Sequence, residues 1–412
     1  MEIKLLVKSI WFERRQAMLD VVSEVKKVEQ DIINWRRELH QIPELGLILP
    51  KTTKYIAERL DEMGIDYKTL VGGNAIVGII NGKGEGKTIG LRADTDGLPI
   101  EEETGLSFAS TNGCMHACGH DAHTSILLGT AKVLNNNRDK FKGNVKLLFQ
   151  PGEEYPGGAR PMIEEGVLEN PKVDAIMGLH VGSLSNDVPK NNIGVCYGKM
   201  MASMDKILIK VKGKGSHGAY PELSIDPIII ACELVTTLQT IISREIKAVE
   251  PAVLSICRIQ GGFNQNIIPN EVELEGTIRT LNNDTRHKIA RRIEEITKGI
   301  TDAHGGSYEC LYDFKYPPLI NDYDFTVNFV ESAKKIIAEE EITEIKLPLM
   351  GGEDMAYFLE KVPGTFFYLS NLKEVNGKYY GNHSSKFDLD EELFWKGSSL
   401  LIQGVLDYLN NN

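Results

Sequence analysis

The chain has 412 residues, of which 42% are hydrophobic and 25% are charged, values typical of soluble globular proteins. Its net charge of -12 and pI of about 5.4 exclude nucleic acid as the main partner, because phosphate binding requires a basic surface. Six cysteines are too few for a disulfide scaffold and favour a reducing, cytoplasmic location. No stretch of 18 apolar residues occurs, so no membrane span is expected, and the length favours two domains.

The first 20 residues contain charges scattered among apolar side chains. A signal peptide needs an uninterrupted apolar region, so this segment does not fit one. Two alternatives stay open: residues 1–17 add an amphipathic helix, or the true start is Met18.

Predicted helices and buried strands alternate along the first half of the chain. Apolar residues spaced by three and four predict a helix over 21–39 that ends before Pro43. Further helices are expected over 52–63, stopping at Gly64, and over 124–134. The predicted buried strands are 75–80, 88–93, 145–149 and 175–179. This alternation predicts an α/β fold with a mostly parallel sheet that is covered on both faces.

Residues of metal-binding type follow these strands. Asp94 and Asp96 follow one strand. Glu153 and Glu154 follow another, and His180 follows a third. Because ligands bind beyond the carboxyl ends of strands in such sheets, we expect these side chains to lie together at one edge.

The stretch 204–318 has a different order of predicted strands and helices, which predicts a separate domain. Its predicted elements are a strand over 207–211, a helix over 227–246, strands over 252–260 and 271–278, a helix capped by Asp284 and running to about residue 303, and a strand over 307–315. This β-α-β-β-α-β order predicts an α+β ferredoxin-like unit inserted into a first domain that comprises 1–203 and 319–412.

Cys118 and His120 are the first candidate metal ligands. A thiolate and an imidazole two residues apart can bind the same ion, although a buried cysteine and a core histidine give the same pattern without metal. Cys114 is an alternative thiolate, and His116 and His123 compete for the histidine roles.

The adjacent carboxylates of Glu153 and Glu154 repel each other unless a cation or a proton compensates. One of them can bind metal while the other acts as a general base on a metal-bound water, and a solvated acidic loop is the alternative. With His180 and His383, the candidate donors suit two divalent cations about 3.5–4 Å apart.

Motifs along nearly the whole chain then make the sequence resemble the metal-dependent aminoacylase and amidohydrolase family of indole-acetyl-amino-acid hydrolases, hippurate hydrolases and N-acetyl-amino-acid deacetylases. The matching segments, in order, are RELHQIPELG (37–46), LRADTDGLPI (91–100), MHACGHDAHT (115–124), FQPGEE (149–154), GLH (178–180), GKGSHGAYPELSIDPI (213–228), NIIPNEVELEGTIRT (266–280), GGEDMAYF (351–358) and NHSSKFDLDEE (382–392).

The resemblance implies a role for each matched residue. The implied metal ligands are Cys118, His120, Glu154, His180 and His383. Glu153 matches the general base, and Asp94 matches an acid that orients a metal-ligating histidine. The match therefore favours Cys118 over Cys114 as the thiolate.

The resemblance also implies roles for residues of the inserted domain. His217 matches a histidine that reaches a site across a dimer and stabilises an oxyanion, with an exposed loop histidine as the alternative. Asn266 and Arg279 match positions that hold the substrate carboxylate, although Arg279 could instead pair with a surface glutamate. Gly218, Ser385 and the pair Gly351-Gly352 depart from the usual pattern, which leaves the substrate preference open.

The resemblance thus implies a two-metal hydrolase of N-acyl amino acids that uses zinc or manganese, with cobalt or nickel as alternatives. The inserted domain is expected to act as a lid and to pair two subunits into a homodimer. A dipeptidase or aminopeptidase with the same metals is the nearest rival. A catalytically silent metal- or peptide-binding protein is a second alternative, which the presence of Glu153 disfavours.

Overall fold

The computed structural model describes residues 19–375 and 377–411, so both alternatives for residues 1–17 lie outside the described residues. Contacts between Cα atoms divide the chain into two compact units. Among the described residues, the first unit comprises the chain up to Gly198, Asn321–Lys346 and the chain from Tyr357 onward. The second unit comprises Lys199–Ile320 and Leu347–Ala356.

Helices and strands alternate along most of the described chain. The α-helices are α1 (Val21–Lys26), α2 (Glu29–His40), α3 (Pro50–Met63), α4 (His120–Asn136), α5 (Ala159–Glu164), α6 (Pro227–Thr240), α7 (Asn283–Ala303), α8 (Tyr323–Ala333), α9 (Ala356–Leu359) and α10 (Phe394–Asn411). The β-strands are β1 (Asp66–Leu70), β2 (Ala75–Asn81), β3 (Thr88–Asp94), β4 (Asn144–Gln150), β5 (Ala175–Gly182), β6 (Ile193–Val195), β7 (Lys199–Met201), β8 (Asp205–Lys212), β9 (Ser216–His217), β10 (Ala252–Gly261), β11 (Ile267–Ile268), β12 (Glu271–Thr280), β13 (Ser307–Phe314), β14 (Leu319–Ile320), β15 (Ile342–Glu344), β16 (Gly364–Ser370), β17 (Glu374–Val375) and β18 (Lys378–Tyr379).

The first unit is built on one sheet with the strand order β1-β2-β4-β3-β5-β16-β6-β15. Its central strands β4, β3, β5 and β16 run parallel, and β1 and β2 add antiparallel pairs at one side. Every residue of β3 and β5 is buried, which explains why apolar residues predominate in both strands. The prediction of a mostly parallel sheet is therefore confirmed.

The helix predicted over 21–39 is two helices, α1 and α2. The break falls at Lys27 and at Val28, whose φ of -112° and ψ of 3° are not helical. Val28 nevertheless stays buried with Val25 and Ile32, so the apolar stripe continues across the break. The periodicity predicted the buried face correctly and missed the interruption of the backbone hydrogen bonds.

The second unit has the ferredoxin-like order β8-α6-β10-β12-α7-β13, which confirms the predicted fold of this segment. Its antiparallel sheet has the strand order β10-β12-β8-β13. Alternate residues of β12 are buried, as the apolar alternation predicts. Asp284 does not cap α7, because the helix starts at Asn283 and the side chain of Asn282 accepts the hydrogen bond from Thr285 N.

The second unit also includes Leu347–Ala356, which the 204–318 segment of the sequence analysis leaves out. Leu349 N donates to Met200 O, and Ala202 N donates to Leu349 O. The stretch Pro227–Glu245 has a mean hydropathy of 1.3 and is long enough to cross a membrane, although no span was expected. A core helix meets the same criterion, and Ile230, Leu234 and Leu238 of this stretch are buried in the core of the second unit.

Candidate metal centre

The parallel strands of the first unit bring the candidate metal ligands to one edge of the sheet. Asp94, the last residue of β3, lies in register with Gln150, the last residue of β4. Glu153 and Glu154 follow β4 after a short turn, and His180 lies near the end of β5. The carboxyl ends of adjacent parallel strands therefore place these groups together, as the order of the predicted strands indicated.

Among the described residues, five groups of three side chains place their ligand atoms within 4.8 Å of one another, and three of them consist only of predicted ligands and Glu153. These three groups are Cys118, His120 and His180; Cys118, Glu154 and His383; and His120, Glu153 and Glu154. The structure thus brings together all five predicted ligands and the predicted general base Glu153. Cys118, His120 and Glu154 each belong to two of these three groups. The cluster therefore suits two ions that share ligands.

The hydrogen bonds of His120 and His180 use Nδ1 of each ring and leave Nε2 available to a metal. Nδ1 of His120 lies 2.9 Å from the carbonyl oxygen of Asp96, and Nδ1 of His180 lies 2.7 Å from that of Val181. A carbonyl only accepts, so both Nδ1 atoms carry a proton, and in the neutral ring each Nε2 presents the lone pair that a metal would bind. His120 Nε2 is buried without a hydrogen-bond partner among the described residues, as a metal-binding atom would be.

His383 reaches the cluster from a loop near the C-terminus. Its Nε2 lies 3.1 Å from Glu154 Oε1, and hydrogen bonds to Cys118 and Glu154 raise the pKa of its imidazole to about 10. Burial raises the pKa of the Cys118 thiol, and the charge of Glu154 adds to this effect. A thiolate, imidazoles and a carboxylate are donors that suit zinc and other divalent transition metals. The donor set therefore fits a metal centre.

Asp94 hydrogen-bonds to His123 and also lies at ion-pair distance from the predicted ligand His120. Asp94 Oδ1 lies 2.5 Å from His123 Nδ1, and Oδ2 is 2.8 Å from Arg92 Nη1 but 3.6 Å from His120 Nε2. Burial opposes its charge, yet His120, Arg92 and His123 hold the pKa of the Asp94 carboxyl well below its usual range. His123 Nε2 accepts a hydrogen bond from Val181 N, so both of its ring nitrogens are engaged in the fold.

Asp96 is the acid beside His120, and sequence reasoning gave it no role of its own. Its Oδ1 lies 3.3 Å from His120 Nδ1. Its carboxylate also accepts hydrogen bonds from the backbone N–H groups of Glu153 and Glu154, at 3.0 and 3.1 Å. Asp96 thus fixes the loop that carries both glutamates, and its place two residues after Asp94 at a strand end was the available signal.

The alternatives Cys114 and His116 belong to none of the five groups. Cys114 is half-buried, and its backbone N–H donates to Asn112 Oδ1. His116 is buried, with no hydrogen-bond partner for either ring nitrogen in the described part of the chain. Desolvation lowers the pKa of His116 to about 4, so the ring is neutral.

The predicted residues of the second unit lie on its sheets and turns. His217 is exposed on β9, pairs with Ile267, and its Nδ1 accepts a hydrogen bond from Ala219 N. Asn266 O accepts a hydrogen bond from Gly218 N, so Asn266 lies beside the His217 turn.

Arg279 on β12 is half-buried, and burial lowers the pKa of its guanidinium. Within the described residues it has no carboxylate at ion-pair distance, whereas Glu273 and Glu275 both bind Arg258. The alternative that Arg279 pairs with one of these surface glutamates is therefore not what the structure shows.

Comparisons with known proteins identify relatives over most of the chain. The family described as "Peptidase family M20/M25/M40" matches residues 90–406. Thermostable carboxypeptidase 1 of Saccharolobus solfataricus is 39% identical over 381 residues, 91% of this chain and 95% of the relative. An N-acyl-L-amino acid amidohydrolase of Geobacillus stearothermophilus is 43% identical over 302 residues, 73% of this chain and 80% of the relative. The crystal structure of the Bacillus subtilis YXEP protein, described as a dinuclear metal binding peptidase from the M20 family, is 35% identical with a TM-score of 0.79, and the match covers 94% of this chain and 100% of that one.

Proposed function

Because this chain belongs to peptidase family M20/M25/M40, as its motifs predicted, we propose that it hydrolyses the amide bond of N-acyl amino acids to a carboxylate and a free amino acid. The observation that carries the proposal is the cluster of five donor side chains around Cys118, with Glu153 beside it. The relative named for N-acyl-L-amino acids supports the substrate class. The size and chemistry of the acyl group stay open.

Two divalent ions would be held by Cys118, His120, Glu154, His180 and His383. When bound, the ions polarise the amide carbonyl and acidify a water molecule. Glu153 takes the proton of this water, and the water oxygen attacks the amide carbon. The C–N bond then breaks, and Glu153 returns the proton to the departing nitrogen. The carboxylate oxygen of Glu153 lies within 4.8 Å of the ligand atoms of His120 and Glu154, so the proton has only a short distance to travel.

We propose that His217 binds the oxyanion and that Asn266 and Arg279 bind the carboxylate of the substrate. His217 Nδ1 accepts a hydrogen bond, so Nε2 carries the proton and can donate to an oxyanion. Arg279 offers a guanidinium that no described carboxylate neutralises, and with Asn266 it would bind the substrate carboxylate. If so, Arg279→Met raises KM for N-acetyl amino acids by about 10- to 100-fold, and an unchanged KM refutes the assignment.

The variant Glu153→Gln tests the proposed chemistry. It removes the base and keeps the shape, so we expect kcat to fall by about 10²- to 10⁴-fold on N-acetyl amino acids, with two ions still bound per chain. Glu164→Gln, which alters an exposed glutamate paired with Arg160, is the matched control and keeps full activity. A Glu153→Gln variant with both ions and full turnover contradicts the mechanism.

A dipeptidase or aminopeptidase activity is the rival, and the similarity to a carboxypeptidase adds cleavage of a C-terminal residue to the activities to be assayed. We propose that N-acyl amino acids are the better substrates. Comparing kcat/KM for N-acetyl and N-benzoyl amino acids with that for dipeptides of the same C-terminal residue separates the two. A higher value for the dipeptides identifies the rival as correct.

We propose zinc or manganese as the native metal, with cobalt or nickel as substitutes, because thiolate and imidazole donors accept all four. Metal analysis of the protein purified without chelator, followed by activity after reloading with each ion, tests the choice. We further propose a cytoplasmic location, which is supported by the six cysteines, since all of them are free thiols. Fractionation of the native cells checks it.

We also propose that two chains pair through the second unit, which would act as a lid as well. Strand β10 is an edge of its sheet, with unpaired backbone groups along one side. Apolar side chains next to this edge are exposed, among them Ile228, Ile259 and Phe263. Light scattering should give a dimer for the parent and a monomer for Phe263→Asp. The matched control Leu311→Asp, on the opposite edge strand β13, stays dimeric; a dimeric Phe263→Asp variant contradicts the proposal.

A further inference from the structure

A buried cluster of charged side chains lies beside the metal-binding cluster and has no part in the chemistry above. We call it the Arg36 cluster, and it consists of Arg36, His40, Glu102, Asp121 and Glu391. The guanidinium of Arg36 is fully buried, as are the side chains of His40, Glu102 and Asp121, and Glu391 is largely buried. Burying so many charges is costly, so their arrangement calls for an explanation.

Arg36 stands at the centre of this cluster. Its Nε lies 2.9 Å from Asp121 Oδ2, and its Nη1 donates to Glu391 Oε1 at 3.2 Å. His40, one helical turn further along α2, contacts the same Asp121 oxygen through Nδ1 at 2.7 Å. Its Nε2 lies 3.2 Å from Glu102 Oε1. One face of α2 therefore binds three remote chain segments, at Glu102, Asp121 and Glu391.

Two of these segments, those of Asp121 and Glu391, lie near proposed metal ligands in the sequence. Asp121 directly follows His120 at the start of α4, two residues after Gly119 and three after Cys118. Glu391 follows the loop that carries His383. Arg36 thus forms ion pairs with the segment of Cys118 and His120 at one end and with the segment that follows His383 at the other.

The loop of His383 needs support from its surroundings. His383 has a φ of 69°, a left-handed conformation that is unfavourable for residues other than glycine. The loop contacts the Cys118 turn directly, since His383 N donates to Ala117 O at 2.7 Å and Asn382 Nδ2 donates to Cys118 O at 3.2 Å. A shift of Asp121 relative to Glu391 would break the Arg36 contacts and leave buried charges uncompensated.

We propose that Arg36 is a positioning residue of the metal centre, which sets the separation between the Cys118–His120 segment and His383 by pairing with Asp121 and Glu391 at once. The inference rests on the proposed metal centre. An arginine suits this task because its charge is spread over a planar group that can face two carboxylates at once, whereas a lysine offers a single point of charge. Arg36 touches neither the substrate nor the ions, so its effect acts through the ligands.

The test is a two-step titration of metal-free protein with Co(II) against a chelator, with the thiolate-to-cobalt absorption band as a second readout. His383→Ala first identifies the binding step that depends on His383. We expect Arg36→Lys to weaken the same step by about 10- to 100-fold, the size typical of residues that support metal ligands. The other step and the thiolate band should stay as in the parent.

Arg286→Lys is the matched control, because Arg286 forms a buried two-pronged ion pair with Asp205 in the second unit. It should lower the melting temperature and leave both cobalt steps unchanged. If Arg36→Lys does not fold, Glu391→Gln serves instead, since it removes the carboxylate that pairs with Arg36 while the amide oxygen can still accept a hydrogen bond from Arg37. It should weaken the same step to a smaller extent.

Two results overturn the inference. The first is that the Arg36-cluster variant that folds binds cobalt in both steps with the affinities of the parent. The second is that both binding steps weaken equally, in that variant and in Arg286→Lys alike. A parent chain that binds fewer than two ions overturns the proposed centre and the inference together. A parent that binds two ions but hydrolyses no N-acyl amino acid refutes the proposed function and leaves the inference standing on the cobalt data.

Discussion

Gly119 separates the two proposed ligands Cys118 and His120, and no other residue fits its backbone. Its φ is +90°, and a Cβ built at this position would lie 2.5 Å from Val181 Cγ2. Val181 is on the buried strand β5, next to His180, so it cannot move away without shifting a ligand. The glycine therefore meets a conformational and a steric requirement at once.

We expect Gly119→Ala to lower the free energy of unfolding by about 2–4 kcal/mol, since a left-handed alanine costs about 1–2 kcal/mol and the contact with Val181 adds a similar amount. Metal affinity should fall with it. Gly113→Ala is the control, because Gly113 has a φ of +79° and nothing within 4 Å of the added Cβ. Urea denaturation measures both variants, and equal losses would show that the steric contact is unimportant.

The candidate ligands could be predicted because their residue types and their places at strand ends are both visible in the sequence. The partners of those ligands could not. Asp94 and Asp96 look equivalent at the end of β3, yet the carboxylate of Asp94 hydrogen-bonds to His123 and that of Asp96 lies 3.3 Å from His120 Nδ1. That choice depends on which way each side chain leaves the strand and on a helix that begins 24 residues later, so only the folded structure decides it.

Lys146 is a buried lysine on β4 that forms no part of the metal centre. Its ammonium donates to the carbonyl oxygens of Val167, Glu169 and Pro171, at 2.8–2.9 Å. Lys146→Met leaves these carbonyls without their donor, and we expect a loss of about 3 kcal/mol in unfolding free energy. Lys142→Met, at an exposed position nearby, should change it by less than about 0.5 kcal/mol. Similar midpoints in urea for the two variants would contradict this account.

At the level of elements, periodicity predicted which faces are buried better than it predicted where helices begin and end. The stripe of α7 runs through Ile289 and Ile293 and then continues with Thr297 and Thr301, four residues apart each time. Both threonines are fully buried, and within the described residues neither hydroxyl has a hydrogen-bond partner. Polar residue types at these positions hid the last turns of the buried face from the sequence pattern.

We expect Thr297→Val and Thr301→Val each to raise the unfolding free energy by about 1 kcal/mol, because valine has nearly the same shape and removes a buried hydroxyl without a partner. Thr280→Val is the matched control. Thr280 is equally buried, but its hydroxyl bonds to Ser203 Oγ at 2.9 Å, so its loss should cost about 1 kcal/mol. Thermal and urea unfolding give the sign of each change, and a destabilised Thr297→Val variant would show that its hydroxyl is satisfied in solution.

At the level of the whole molecule, the order of strands and helices after residue 204 predicted a ferredoxin-like segment, because all of its elements are consecutive in sequence. The sequence did not predict that Leu347–Ala356 belongs to the second unit. This stretch joins the unit through backbone hydrogen bonds of Leu349, which leave no pattern of side chains in the sequence. Each unit nevertheless has its own buried core, with Ile32, Leu91 and Phe367 in one and Ile209, Leu274 and Ile289 in the other.

Separate cores mean that metal removal should act on one unit only. Without ions, Glu153 and Glu154 repel each other, and the loop of His383 loses its bonds to a shared ligand set. We expect chelation to speed backbone amide exchange at 116–121, 150–154 and 380–386, while β8, β12 and α7 of the second unit exchange at their original rates. Reloading with zinc is the control and should restore protection. A uniform rise of exchange across both units would instead show that the ions stabilise the molecule as one cooperative whole, because in that case the core of the second unit would not be independent of the metal centre.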